Sequence, residues 1–403
     1  MISTYSTNFI GSDGVDLGSK LLTKERFNEY YLNIANQYIT PELWGWGSSE
    51  NSQIPLNDSP STKYTPVTTF SGGANWKSIS VAVLHGAAIK TDGSLWTWGT
   101  GNDLDLLLGI NNANPGSSTP VTTFAGGNNW RQVSCGAYHT AAIKTDGTLW
   151  VWGNNYKAKL GINSDRVVST PVTTFAGGNN WKQVSCSFNY NAAIKTDGTL
   201  WTWGDSTTGE LGTNDSFTKS TPVTTFAGGN DWKQVSCGSF HTAAIKTDGS
   251  LWTWGRNSYG QVGNNNSGGA VSTPVTTFAG GNDWKQVSCG YFRTTAVKND
   301  GTLWIWGGGV MGNNGLSSIT PITTFAGGTN WKKVLDSLNH TIAIKTDGTL
   351  WVWGYNTSGQ FGNNIIGGNA QTPITTFDGG TNWRDIATFN YGDCNLAIRS
   401  YED

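Results

Sequence analysis

The sequence predicts an all-β chain, a seven-bladed propeller of four-stranded sheets, and three observations carry that prediction. First, the pattern Leu-Trp-x-Trp-Gly begins at Leu43, Leu95, Leu149, Leu200, Leu251, Leu303 and Leu350, a repeat of about 51 residues. Second, a Trp followed by a basic residue also occurs seven times, at Trp76, Trp130, Trp181, Trp232, Trp284, Trp331 and Trp383, and together the two markers use all 21 tryptophans. Third, the last copy stops early and the first copy starts late, so the two ends complement each other.

One unit, residues 130–175, shows the expected elements in order. Trp130-Arg-Gln-Val-Ser-Cys-Gly136 and His139-Thr-Ala-Ala-Ile-Lys144 read as the first two strands. A Thr-Asp-Gly turn leads into the third, Thr148-Leu-Trp-Val-Trp-Gly153, and Asp-Gly is a hairpin signal because Gly tolerates positive φ. The pair recurs at Gly93, Gly147, Gly198, Gly249, Gly301 and Gly348. A long Asn/Gly/Ser-rich loop then precedes Ser169-Thr-Pro-Val-Thr-Thr-Phe175, where Pro suits an edge strand that need not donate every ladder bond. One such sheet cannot bury both faces alone, so seven suit a radial array with tryptophans packed between sheets. Strands between Trp383 and Tyr401 are expected to pair with strands between Leu43 and Phe70, which closes the ring and removes exposed edges. The expected organisation is an N-terminal arm over 1–42 and a propeller over 43–403.

Composition narrows the functions. Charged residues are 13% of the chain and the formal net charge is −2, so nothing marks a nucleic-acid partner. No run reaches the roughly 18 apolar residues a membrane span needs. Met1–Ile10 lacks the basic and apolar regions of a secretory signal. Synthesis in the cytoplasm without a signal peptide, and no membrane insertion, are expected.

The run from Cys237 to Gly263, Cys-Gly-x-x-His-Thr-x-Ala-Ile-Lys-x-Asp-Gly-x-Leu-Trp-x-Trp-Gly-x-Asn-x-x-Gly-Gln-x-Gly, resembles the repeat of the RCC1 (regulator of chromosome condensation) family. The resemblance extends over residues 43–403 and implies a seven-bladed propeller closed by its two ends. It does not imply one function, because that family includes exchange factors, ubiquitin-ligase adaptors, light sensors and inhibitors. An exchange or chromatin role would imply a basic tail or a long insertion on one face, whereas the charged residues of 1–20 are only Asp13, Asp16 and Lys20. Light sensing would imply Trp just before the His of each copy, where Ala137, Tyr138, Ser239 and Phe240 stand. The near-identical Thr-Pro-Val-Thr-Thr-Phe-Ala-Gly-Gly-Asn copies and the leader Met1–Gly14 are similar to repeat proteins of marine bacteriophages.

Candidate chemistry is sparse. His85, His139, His241 and His340 share one repeat position, which holds Tyr190 and Arg293 in other copies. The expected role is a hydrogen bond to the turn between two strands rather than a metal ring. Cys135, Cys186, Cys237 and Cys289 also share one position, and equivalent positions in separate blades do not approach disulfide distance, so they read as small buried thiols. Gly307–Gly312 matches G-x-G-x-x-G but leads into Asn-Asn-Gly rather than a helix, so it reads as a shortened repeat loop. Each Asp-Gly aspartate reads as turn chemistry. No catalytic residue, metal or cofactor is expected.

Positions that differ between copies are free to contact something without sevenfold symmetry. The first variable zone precedes the second strand, and the expected partner-binding residues there are Leu84, Tyr138, Phe188, Tyr190, Phe240, Tyr291, Phe292, Arg293, Asn339 and Phe389. The second zone is the loop after each Trp-Gly, including the apolar Leu104–Leu108, either a contact patch or a locally packed turn. Upstream, Phe27, Tyr31, Ile34 and Tyr38 form the stripe of an amphipathic helix, ended by Thr40-Pro41, which is expected to attach the chain to other virion or assembly proteins, docking on the side of the propeller being the alternative. The reading is a non-enzymatic structural or recognition propeller, expected as a phage virion component of tail, neck or capsid surface. A carbohydrate-binding adhesin and a host-directed inhibitor or adaptor are the alternatives, so protein or glycan is expected on one rim.

Overall fold

The computed structural model describes residues 41–57, 61–69, 75–100, 106–111, 116–315, 317–324, 327–376 and 379–400. Phe27, Tyr31, Ile34 and Tyr38 of the expected attachment helix lie outside them. The propeller unit runs from Pro41 to Arg399, and its first strand opens at Glu42, one residue before the expected boundary.

Among the described residues, 28 strands form seven four-stranded antiparallel sheets. Blades 1 to 6 span 76–122, 130–173, 181–224, 232–276, 284–323 and 331–375, each with four consecutive strands in chain order. Blade 7 is composite, ordered Lys63–Thr68, Glu42–Gly47, Cys394–Arg399, Trp383–Thr388. Leu43 lies opposite Ile398 and Gly47 opposite Cys394, so the two ends of the chain close the ring as expected.

The tryptophans divide their work more finely than the repeat suggested. In blade 3, Trp181 meets Trp201 and Trp203 edge-on at 6.1 and 6.3 Å. Trp181 and Trp203 are fully buried, while Trp201 is half-buried. Trp203 seals the joint with the preceding blade by donating its indole N–H to Lys159 O at 2.9 Å. Trp152, Trp254, Trp306, Trp98 and Trp46 do the same to Leu107, Glu210, Gln261, Gln53 and Gln360. The half-buried Trp201 instead bonds Thr199 Oγ1 and lies under Lys195, whose ammonium sits 4.4 Å from its ring and 4.7 Å from that of Trp181. Such a clamp recurs in every blade, ending with Arg399 over Trp44 and Trp383, and cation–π attraction supports each one.

The first strands surround a central cavity of about 210 Å³. Their inner edges have no strand partner, and side chains supply the missing ladder. Gln183 donates from Nε2 to Val235 O at 2.9 Å and accepts Val235 N–H at 3.1 Å. Ser185 Oγ accepts Cys237 N–H at 3.0 Å. Gln132, Gln234 and Gln286 repeat the first device, and Ser80, Ser134, Ser236 and Ser288 the second. Every fastening reaches from one blade to the next in chain order. Around blade 7 the pattern changes: Lys333 bridges to Asp385 and to Ile386 O, Leu335 replaces the serine, and Asp385 and Ala387 occupy the same slots of the last blade.

The basic residue after each first-strand Trp sits on a β-bulge. Trp181 pairs with Lys195 and Gln183 with Ile194, so Lys182 is the extra residue, and the same slip recurs in all seven blades. A bulge re-aims its side chain out of the sheet. Lys77, Arg131, Lys182, Lys233, Lys285, Lys332 and Arg384 therefore share one position around the ring, and all but Arg131 are exposed.

Candidate functional site

Strand direction sorts the loops onto two faces. Each first strand runs from its Trp toward the variable turn, and the second returns toward Asp-Gly, so the variable turns and the starts of the loops after Trp-Gly share one face, here the upper. The Asp-Gly turns and the inter-blade linkers share the lower.

On the upper face the variable turns converge over the cavity mouth. Tyr138 meets Phe188 at 5.6 Å, Phe188 meets Tyr391 at 5.4 Å, and Tyr391 meets Tyr291 at 5.4 Å. Tyr291 also contacts Phe240 and Phe292, and Phe292 contacts Tyr259 at 4.8 Å. One continuous aromatic sheet thus joins blades 2, 3, 4, 5 and 7. The join across the axis comes from blade 7, whose turn carries five residues, 389–393, where blade 3 carries three, 187–189. Asn390 reaches the opposite side, donating to Cys237 O at 2.9 Å while Ser239 Oγ bonds its carbonyl at 3.2 Å. Tyr391 is left 41% exposed above it.

Beside this sheet is a pocket of about 230 Å³ lined by Tyr138, Asn154, Tyr156, Lys159, Phe188 and Asn189. Lys159 is buried in its floor, with its ammonium 3.2 Å from Asn189 Oδ1 and 5.2 Å from the Tyr138 ring. The pocket combines aromatic faces, amides and a cation.

Of the expected partner-binding residues, Tyr138, Phe188, Phe240, Tyr291 and Phe292 are brought together, half-buried, in the aromatic sheet. Leu84 and Asn339 lie half-buried on the same face, and Asn339 Nδ2 donates to Asp393 Oδ1 at 3.2 Å. Tyr190, Arg293 and Phe389 are corrections, because all three are buried. The Tyr190 hydroxyl donates to His241 O at 2.7 Å. Arg293 pairs with buried Asp336, Nε to Oδ1 and Nη2 to Oδ1 both at 3.1 Å. Phe389 packs with Ala82 and Ala137 beneath the turn.

Those two polar residues belong to the histidine belt. His85 Nε2 lies 2.7 Å from Thr140 Oγ1, His139 Nε2 2.7 Å from Asn191 Oδ1, His241 Nε2 2.8 Å from Thr294 Oγ1 and His340 Nε2 2.7 Å from Asn395 Oδ1. Each imidazole therefore bonds the next blade, not its own turn as expected. Asn191 spends its Nδ2 on Lys159 O and Asn395 its own on Gln360 O, so their Oδ1 atoms accept and His139 and His340 carry the proton on Nε2. Burial lowers the pKa of His85, His139 and His241 to about 3. They are neutral fasteners at pH 7. In blade 7 the slot holds Cys394, and the facing position in blade 1 is Gly86, whose added Cβ would lie 2.6 Å from Trp98.

The remaining motifs resolve structurally. The shared cysteines are buried and free, and burial pushes the Cys135 and Cys289 thiols up to about 12, so no thiolate nucleophile forms. Leu107 and Leu108 are buried, the packed-turn reading; Leu104 lies outside the described residues. Gly312 of the glycine run has φ +72 and seats against Trp353, 2.7 Å from Nε1 to a would-be Cβ. The Gln–Ser ladder is what the sequence reading missed, although Gln-Val-Ser-Cys at a fixed phase was its visible trace.

The RCC1-like domain model matches residues 42–391. The ultraviolet-B receptor UVR8 of Arabidopsis thaliana is 32% identical over 281 residues, 68% of this chain and 62% of that protein. The mitochondrial RCC1 domain-containing protein RUG3 of the same plant is 26% identical over 285 residues, 67% of this chain and again 62% of its own length. The chain thus spans less than two thirds of these curated relatives. Among solved structures, Prp20p of Saccharomyces cerevisiae has TM-score 0.78 at 16% identity, covering 92% of this chain and 95% of that one. Human WBSCR16 has TM-score 0.77 at 20% identity, covering 89% and 99%. At such identities the structural likeness speaks for the fold alone. Repeat, closed ring and matched model together establish that this chain belongs to the RCC1-like domain family.

Proposed function

We infer that the chain is a non-catalytic recognition propeller that grips a protein partner with its upper face. The observation that carries this reading is the aromatic sheet, assembled from five blades at positions where the repeat itself prescribes no aromatic residue. Half-buried Tyr and Phe, held rigid by one another, supply large contact area at low entropic cost, as interface anchors do. The adjoining pocket adds a cation suited to a carboxylate on the partner. A protein of similar fold, Prp20p, is described by its binding to Gsp1p and histones.

The test is affinity capture with the full chain against Tyr291→Ser/Phe292→Ser. A defined partner lost at least tenfold by the variant (about 1.4 kcal/mol), with melting unchanged, supports the reading; equal capture by both overturns it. Glycan-array binding abolished by Tyr291→Ala/Phe292→Ala would assign the same face to carbohydrate instead. Residence in a phage particle, with residues 1–42 as the attachment arm, is the finer proposal and rests on the leader and the neutral polar composition. Mass spectrometry of purified particles tests it, and deletion of residues 1–40 tests the arm.

A further inference from the structure

We propose that the lower face is a docking surface for an anionic lipid bilayer. Two features of that face are repeated around the ring without serving the core. The first is the set of cations on the seven bulges, at the starts of the strands that surround the cavity. The second is a phenylalanine just past the end of the fourth strand: Phe124, Phe175, Phe226 and Phe278 are 63, 64, 66 and 65% exposed in the four blades where this position is described.

Residues that stay fixed in a repeat normally serve packing; these stay fixed and face water, except Arg131, which is half-buried and donates from Nη2 to Trp181 O at 2.7 Å. The copies have diverged next to them. The position after the cation is Ser78, Gln132, Lys333 or Asp385, while the cation itself changes only between Lys and Arg. The four phenylalanines also share one backbone geometry, with Phe124 N–H bonded to Gly109 O at 2.8 Å and Phe226 N–H to Gly212 O at 2.8 Å.

Equivalent positions in a closed ring lie in one plane normal to its axis. The apolar knobs therefore form an outer circle and the cations an inner one, each flat. A partner that meets all of them at once is flat or sevenfold itself. A second copy stacked face to face would oppose two rings of like charge, which is repulsive. A bilayer with acidic headgroups satisfies both circles: phenylalanine sinks to the acyl boundary while Lys and Arg hold the phosphate and carboxylate groups. Among the described residues this face carries fifteen Lys or Arg, counting the seven clamps and Lys333, against six turn aspartates with Asp231, Asp283, Asp385 and Glu42, of which Asp231, Asp283 and Asp385 pair with Lys246, Lys298 and Lys333. No described helix is long and apolar enough to cross a membrane; adsorption to one needs none.

The test is co-sedimentation of the full chain with phosphatidylcholine vesicles, with and without about 30 mol% phosphatidylserine. The expected result is binding only to the anionic vesicles, weakened by added salt. Each Lys near the surface is worth about fivefold in partition, so Lys182→Gln/Lys233→Gln/Lys285→Gln should bind roughly 100-fold more weakly. Phe124→Ser/Phe175→Ser/Phe226→Ser/Phe278→Ser should lose binding with its melting unchanged, because those rings are mostly in water. Wild-type salt dependence decides the matter should either variant misfold. Equal binding to neutral vesicles, no binding at all, or a wild-type oligomer dissociated by the Phe variant overturns the proposal.

Discussion

The Arg293–Asp336 pair gives the most direct measure of how the blades are fastened. Asp336→Cys restores the residue that four other blades carry there, but leaves the guanidinium of Arg293 buried without its carboxylate. Breaking a buried pair in this way costs about 3–5 kcal/mol. Unfolding a unit of about 360 residues releases roughly 0.75 kcal/mol per degree, so Tm should fall by about 4–7 °C. Arg293→His costs less, about 1–3 kcal/mol, because burial already raises the Asp336 pKa and the carboxyl can take up a proton. The double variant recreates the joint seen at His241 and Thr294. It releases Thr341 Oγ1, whose hydrogen bond to Asp336 is replaced by one to the new imidazole. It should lie within about 1 kcal/mol of the parent, a coupling of at least about 3 kcal/mol. Urea and thermal unfolding followed by Trp fluorescence read all four proteins. An Asp336→Cys cost below about 1 kcal/mol, or a double variant no better than the sum of the singles, would refute the reasoning.

Acid should loosen the belt. His85, His139 and His241 titrate near pH 3 when folded and near 6.5 when unfolded, so the unfolded chain takes up the protons. Stability is full above pH 6.5 and falls as pH drops toward 3, by roughly 2 kcal/mol per histidine at pH 5; urea midpoints at pH 7 and 5 measure it, and His139→Gln should shrink the difference by about 2 kcal/mol. Gly212→Ala places a Cβ 2.8 Å from Trp254 Nε1 at φ +66, whereas Gly228→Ala at φ +55 meets nothing. Both pay the left-handed penalty of about 1 kcal/mol, and the first should lose about 1–3 kcal/mol more in denaturant titration. Removing residues 383–403 should replace one cooperative melt by a broad, lower transition in calorimetry. The cysteines should resist a thiol reagent in buffer and react once urea unfolds the ring.

What could be read from the sequence is what repeats. Strand order, closure and the hairpin turns follow from residue type at fixed phase, so seven copies state them seven times. The aromatic sheet was legible as well, through Tyr138, Phe188, Phe240, Tyr291 and Phe292, because those positions vary and bear large rings. The same rule misplaced Tyr190 and Arg293. Both vary because the facing residue varies: Arg293 answers Asp336 as Cys394 answers Gly86. Difference between copies marks solvent or a private partner across the joint, and only the registration of one blade against the next tells them apart. Phe389 was misplaced for another reason, since the two additional residues of its turn carry the exposed ring on to Tyr391. The Gln–Ser ladder needed the same registration and was hidden for that reason.

The one-way ladder bears on synthesis. A blade leaving the ribosome presents finished acceptors and donors to the blade after it, so the array can grow without waiting for its far end. The exception is the hairpin of Glu42–Gly47 and Lys63–Thr68, made first and completed last, when Trp383 emerges some 315 residues later. At ribosomal speeds of about 5–20 residues per second, Trp44 and Trp46 stand uncovered for roughly 15 to 65 s. A nascent chain held at that stage offers a sticky half-sheet to its neighbours on the same message.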